Sequence, residues 1–237
     1  MERREYERMH AVEERMWWYR GLHANLLTAL DLGGGGASPI LDAGCGTGGL
    51  LRQLAGRTAY GLDIEPIAAS LASAKAQKPV CVGSVDRLPF AAESFAAIVS
   101  ADVLAHDRVA EDEAVAEAHR CLRPGGIYVV NLPAYAWLGS EHDRRVQQSR
   151  RYTRSRAAGL LRRAGFARVE TTYWNMILFP LMVLRRLLFP GGGDVRAYPA
   201  VLEACFRGAV LFENWLIRLG LVLPFGGSVL AVGVKHG

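Results

Sequence analysis

The sequence predicts a doubly wound α/β fold with a largely parallel sheet, and three observations carry that prediction. Short apolar strands alternate with helical patterns along most of the chain. A glycine-rich loop, Gly44 to Gly49, lies between the first strand and the next helix. The 237 residues, 51% hydrophobic and 22% charged, are a globular composition, long enough to build a core without disulfides or metals.

The elements follow in order. Residues 2–30 read as one helix, with Met9, Val12, Met16, Tyr19 and Leu22 at three- and four-residue steps. Gly33 to Gly36 breaks it. Pro39 to Asp42 is a short apolar strand, and Leu50 to Ala55 starts a helix after the glycine loop. Thr58 to Asp63 is the second strand, Pro66 to Gln77 an alanine-rich helix and Val80 to Val82 the third strand. Ala96 to Ser100 is the fourth, followed by a helix from Glu111 to Cys121. Arg123 to Gly126 is a turn and Ile127 to Leu132 the fifth strand. A helix from Ser155 to Ala164 is stopped by Gly165. Ala167 to Tyr173 and Ser228 to Val234 are strands six and seven. Between them, Trp174 to Leu188 and Tyr198 to Leu219 read as two apolar helices split by Pro190 and Gly191 to Gly193. The first is too short for a span of about 20 residues.

Composition removes several function classes. Cys45, Cys81, Cys121 and Cys205 lie far apart, which argues against a zinc module or a disulfide scaffold and suits a reducing cytosol. The N-terminal MERREYERMH has no apolar signal-peptide core, so a cytoplasmic protein is expected. The net charge is +5, and nearly all the positive charge is arginine. The run from Arg144 to Arg168 reads as solvated helix faces, because no aromatic-interleaved basic strand accompanies it. Mean hydropathy is +0.11, and its apolar excess is concentrated in residues 174–190 and 208–232.

The loop after strand one carries the chemistry. The run Leu41 to Gly49 satisfies GxGxxG, so a dinucleotide site is one reading. Asp42 weighs against it, since a carboxylate entering the loop repels a pyrophosphate. It suits a ligand with positive charge. Asp63, closing strand two, can accept from both hydroxyls of a ribose.

These pieces resemble the class I S-adenosylmethionine-dependent methyltransferases of the bacterial small-molecule type. The matching segments are LDAGCGTG at 41–48, GLDI at 61–64, LPF at 88–90, DVLAH at 102–106, LRPGG at 122–126 and AGF at 164–166. The resemblance implies a Rossmann-like seven-stranded sheet with an antiparallel last strand and a helical cap inserted between strands six and seven. It implies S-adenosyl-L-methionine as cofactor. Gly44, Gly46 and Gly48 would pass beneath its methionine moiety, with Asp42 near the amino end. Asp63 would bind the ribose, Ile64 would pack on the adenine, Ser84 and Val85 would flank that ring, and Ala101 would approach the sulfur. Residues 1–30 would fold over the cofactor mouth, bringing Tyr19 and Arg20 near the methionine carboxylate. Ser84 stands where the family commonly has Asp, Phe95-Ala96 where FD is frequent, and Ala105-His106 where EH is frequent.

The chain is therefore expected to be one domain over 1–237. Residues 1–30 form a lid, 38–173 and 226–237 the core, and 174–225 the cap. The expected reaction is methyl transfer to a small, rather hydrophobic acceptor, a biosynthetic intermediate. His142, His106 and Tyr135 are the candidate bases. A non-methylating cyclisation or rearrangement on the same fold, and RNA methylation, are the alternatives. The expected partner is a small molecule rather than nucleic acid, with no transmembrane span, and the protein is a monomer or homodimer. The cap reads as a substrate lid, a dimer face or a membrane-surface patch, and the lid is favoured because the insertion emerges at the acceptor end of the sheet.

Overall fold

The computed structural model describes residues 3–34, 38–139, 147–188 and 198–237. Seven strands form one sheet: β1 (Ile40–Ala43), β2 (Ala59–Asp63), β3 (Val80–Val82), β4 (Phe95–Ala101), β5 (Leu122–Pro133), β6 (Phe166–Trp174) and β7 (Ser228–Lys235). Their order is β3-β2-β1-β4-β5-β7-β6, with β7 antiparallel to both neighbours and the other pairings parallel. The order reverses between β1 and β4. At that switch the chain departs in opposite directions and leaves a crevice at the strands' carboxyl ends. The central strands are buried on both faces, with Ile40, Leu41, Leu62, Ile98 and Val99 fully enclosed, as parallel strands require.

Eight α-helices are described: α1 (Arg3–Val12), α2 (Trp17–Leu32), α3 (Gly49–Gln53), α4 (Pro66–Ala76), α5 (Glu111–Cys121), α6 (Arg154–Arg163), α7 (Phe179–Leu188) and α8 (Ala200–Arg218). Local chemistry sets several of their ends. Pro66 opens α4, where its missing N–H costs nothing. Glu111, Asp112 and Glu113 start α5, and His119 and Arg120 end it, so both ends suit the helix dipole. The Thr153 hydroxyl accepts the Arg156 N–H at the start of α6, and Gly165 at φ +98 follows its end.

Three boundaries differ from the sequence reading. The single N-terminal helix is two helices. Its break falls at Glu13–Met16, where Glu13 turns inward to Lys75 and the Thr47 hydroxyl and Met16 takes an extended backbone. The turn at Arg123–Gly126 is absorbed into β5. The register against β4 passes from Phe95↔Leu122 to Ala97↔Ile127 across that irregularity. The first cap helix begins at Phe179, because Trp174 pairs with Ser228 as the end of β6 and Glu213 then captures the Met176 and Ile177 N–H groups. The expected break at Pro190–Gly193 lies outside the described residues.

The lid and the cap are built on each other. Gly21 of α2 meets α8 so closely that a Cβ there would lie 2.2 Å from Val210. Asn214 donates to Asn25 and Thr28, both at 2.9 Å. The Trp17 N–H reaches Glu203 at 2.9 Å, and the Trp17 ring meets Phe206.

Glu13 and Lys75 form an ion pair with both side chains buried. Lys75→Met leaves the Glu13 carboxylate enclosed without its cation. We expect a loss of about 3 kcal/mol and a fall in Tm of about 6–12 °C by calorimetry, with much of it regained in Glu13→Leu/Lys75→Met.

Candidate functional site

A cavity of about 650 Å³ opens at the switch between β1 and β4, lined by the glycine loop, α1, the start of α2, the turn after β4 and α7. Its floor is the loop. The Gly44 and Cys45 N–H groups donate to the Leu62 carbonyl at 2.7 and 2.9 Å, fastening the loop to the end of β2. Gly44 has φ +84, and a Cβ there would lie 2.2 Å from Val103, so the loop needs glycine for conformation and for contact. Gly44 and Gly46 face the cavity. Gly48 does not line it; the α4 backbone at Ala72 occupies that side, 2.7 Å from where a Cβ would stand. Its part is to let loop and helix touch.

Two carboxylates converge on this floor. Asp63 accepts the Gly46 N–H at 2.9 Å and the Glu65 N–H at 3.0 Å, which fixes its plane. Burial pushes its pKa up, and those two bonds partly oppose the rise. Asp42 is buried, and its Oδ2 has no hydrogen-bond partner. Burial first, then the charges of Asp63 and Glu13, push Asp42 up to about 7. An enclosed carboxylate with an unanswered oxygen, facing a cavity, fits a ligand that brings positive charge.

The remaining walls follow. Ile64, half exposed, lies beside Ser84 and buried Val85 on one side, and the Ser84 hydroxyl is held by Asp86. Across the floor, α1 closes the roof with Tyr6 and Met9. Burial and the nearby Asp63 and Glu65 push the Tyr6 hydroxyl far up, so it stays a donor. On the side of β4, Ala101, Asp102 and His106 line the cavity. Asp102 sits at φ +60, and its carboxylate accepts from Asn131 Nδ2 at 2.9 Å. Asn131 Oδ1 in turn accepts the Trp174 indole N–H at 2.6 Å, wholly buried. The Arg150 guanidinium donates to the Leu104, His106 and Val109 carbonyls and pins the turn that presents His106.

Of the residues singled out from sequence, the fold brings Asp42, Gly44, Gly46, Asp63, Ile64, Ser84, Val85, Ala101, His106 and Tyr19 to one cavity. Arg20 points to solvent and does not line it. Tyr135 is also apart from it, stacked between Trp137 and Tyr173; burial and the Tyr173 hydroxyl push its pKa up to about 12. His142 lies outside the described residues. The sequence reading missed Tyr6, Glu13 and Asp102. Asp102 was visible as the first residue of DVLAH, but its tie to Asn131 crosses from β4 to β5. No group of three or more His, Cys, Asp or Glu able to hold a metal occurs among the described residues.

Fold and floor together define a doubly wound α/β protein with an acidic, glycine-lined crevice at its switch point. Residues 41–130 match the family described as a methyltransferase domain, and the chain has the fold of solved S-adenosylmethionine-dependent methyltransferases. The chain is 37% identical over 103 residues to an uncharacterized protein of Methanocaldococcus jannaschii, covering 42% of this chain and 39% of that one. It is 33% identical over 99 residues to the uncharacterized methyltransferase YodH of Bacillus subtilis, covering 38% and 41%. The matched region thus spans about two fifths of each curated relative. A SAM-dependent methyltransferase of Thermotoga maritima superposes with a TM-score of 0.59 at 18% identity, over 98% of this chain and 95% of that one.

The raised Asp42 yields a pH dependence with a definite sign. Below about 7 the Asp42 carboxyl holds its proton, and a cationic ligand favours its loss. Affinity for such a ligand should be full above that pH and fall about tenfold per unit below it. Calorimetry in buffers of differing ionisation enthalpy should show proton release near pH 6.5, absent in Asp42→Asn.

Proposed function

We propose that the protein is an S-adenosylmethionine-dependent methyltransferase acting on a small, rather hydrophobic acceptor. The observation that carries this reading is the pairing of Asp42 and Asp63 on one glycine-lined floor, with an Asp42 oxygen left without a hydrogen-bond partner. The cofactor supplies an activated methyl group and its own leaving group, so the chain's work is alignment and exclusion of water.

Asp42 answers the positive end of the cofactor. Asp63, its plane set by the Gly46 and Glu65 N–H groups, takes the ribose hydroxyls. Ile64 and Val85 hold the adenine, and Ser84 meets its edge without charge. Tyr6, Met9 and Met16 exclude water from above. On the acceptor side, Leu178, Leu181, Met182 and Leu184 make an apolar wall, which suits a hydrophobic acceptor. Asp102, held by the Asn131–Trp174 relay, orients an acceptor O–H or N–H through a hydrogen bond. Of the two candidate bases among the described residues, His106 lines the cavity and Tyr135 does not, and an imidazole can take a proton near neutral pH.

Titration of the purified protein with S-adenosylmethionine by calorimetry tests the reading; no heat of binding at millimolar concentrations sinks it. Asp63→Ala should weaken binding more than about tenfold, the worth of a charge-assisted bond or two. Once an acceptor is found, His106→Gln should lower kcat by about a hundredfold while cofactor affinity holds. An unchanged kcat removes His106 from proton transfer.

A further inference from the structure

The cap leaves more apolar surface open than the cavity wall requires. Most of the large apolar side chains exposed among the described residues fall between Ile177 and Phe225. On α8, Val201, Phe212, Trp215 and Leu219 recur at helical spacing along one outward stripe, and the Phe212 and Trp215 rings stack at 5.7 Å. On α7, Leu181, Leu184 and Leu188 are exposed and also line the cavity, so the cavity opens along this helix. Exposed apolar side chains in this number mark a contact face.

The charges of the cap are sorted. The described cap residues contain two acids, and both are turned inward. Glu213 is fully buried and accepts the Met176 and Ile177 N–H groups at 3.0 and 2.7 Å. Glu203 is half-buried and accepts the Trp17 N–H. Arg207 and Arg218 are exposed. Among the described residues the outward face is thus apolar and aromatic with a fringe of arginines, on a chain of net charge +5. A second copy brought face to face would set arginines against arginines. Anionic headgroups would neutralise them while the aromatic rings sit at the boundary of headgroup and acyl chain. No helix among the described residues is long and apolar enough to cross a membrane, so contact by these helices is at the surface.

We propose that the cap, through α7, α8 and residues 219–225, seats the protein on an anionic lipid surface. This does not depend on the cavity's reaction. The test is flotation of the full chain with phosphatidylcholine vesicles, with and without phosphatidylglycerol. The protein should float with the anionic vesicles and be released as salt screens the arginines. Arg207→Glu should weaken the partition about tenfold, and Phe212→Asp/Trp215→Asp should abolish it, with thermal unfolding and cofactor binding unchanged. Absence from the anionic vesicles, or equal binding to both kinds, overturns the proposal. So does a dimer in sedimentation that the double substitution dissolves without any vesicle binding, which would assign the face to a second copy.

Discussion

The structure is organised around burying negative charge at the point where strand order reverses. β1 carries an aspartate one residue before its end and β2 ends in one, and parallel pairing sets Asp42 opposite Gly61 of β2 and Asp63 opposite Val82 of β3. Both carboxylates arrive in one crevice, and α1 adds Glu13 to it. Burial, with the charges of Asp63 and Glu13 beside it, raises Asp42 into the neutral range. The fold answers two of the three from within. Asp63 receives backbone N–H groups, and Glu13 receives Lys75 and the Thr47 hydroxyl. Asp42 is left to be answered by what enters.

That inequality gives the lid a meaning beyond cover. Glu13 stands at the break between α1 and α2, and its partner Lys75 is on the last turn of α4. Gly49 makes the approach possible, since a Cβ there would lie 2.6 Å from the Glu13 carboxylate. A buried pair of this kind contributes little net stability over apolar residues of equal volume, but it tolerates no loss of either partner. It therefore acts as a register pin, placing Tyr6 and Met9 over the glycine loop in one alignment.

The sheet was legible in the sequence to within a few residues, because parallel strands buried on both faces read as short apolar runs between turn residues. Asp42, Asp63 and the glycines were legible for the same local reason: their geometry is set inside one strand–loop–helix unit. What sequence hid was long-range. The N-terminal periodicity runs on past Val12, and only the pull of Lys75 on Glu13, 62 residues away in sequence, breaks it. Trp174 reads as the first residue of an apolar helix, yet its indole bond to Asn131 and its pairing with Ser228 hold it in β6. Arg20 and Tyr135 looked equal to their neighbours as site residues. The helix turn that carries Tyr19 inward sends Arg20 to solvent, and Tyr135 is held in an aromatic stack beside the site.

An N-terminal helix, α2, and a helix of the cap, α8, are joined, and this constrains access to the cavity. α8 is bonded to α2 through Asn214, Asn25 and Thr28, and to the start of α2 through Glu203. The cavity roof, α1, leads into that same α2 through the turn at Glu13, which Lys75 of α4 pins in place. α7, in contrast, joins the rest through the Glu213 clasp on Met176 and Ile177 and through Arg186 on the Leu138 carbonyl. Its apolar residues face both cavity and solvent. Opening the cavity by moving α8 would drag the lid and break buried polar bonds on two elements. Swinging α7 about its clasp gives up the Arg186 and Arg185 hydrogen bonds but moves no fully buried side chain of that helix. The path of least cost into the cavity therefore runs past α7, whose apolar residues line it and meet solvent, while α2 and α8 hold each other in place.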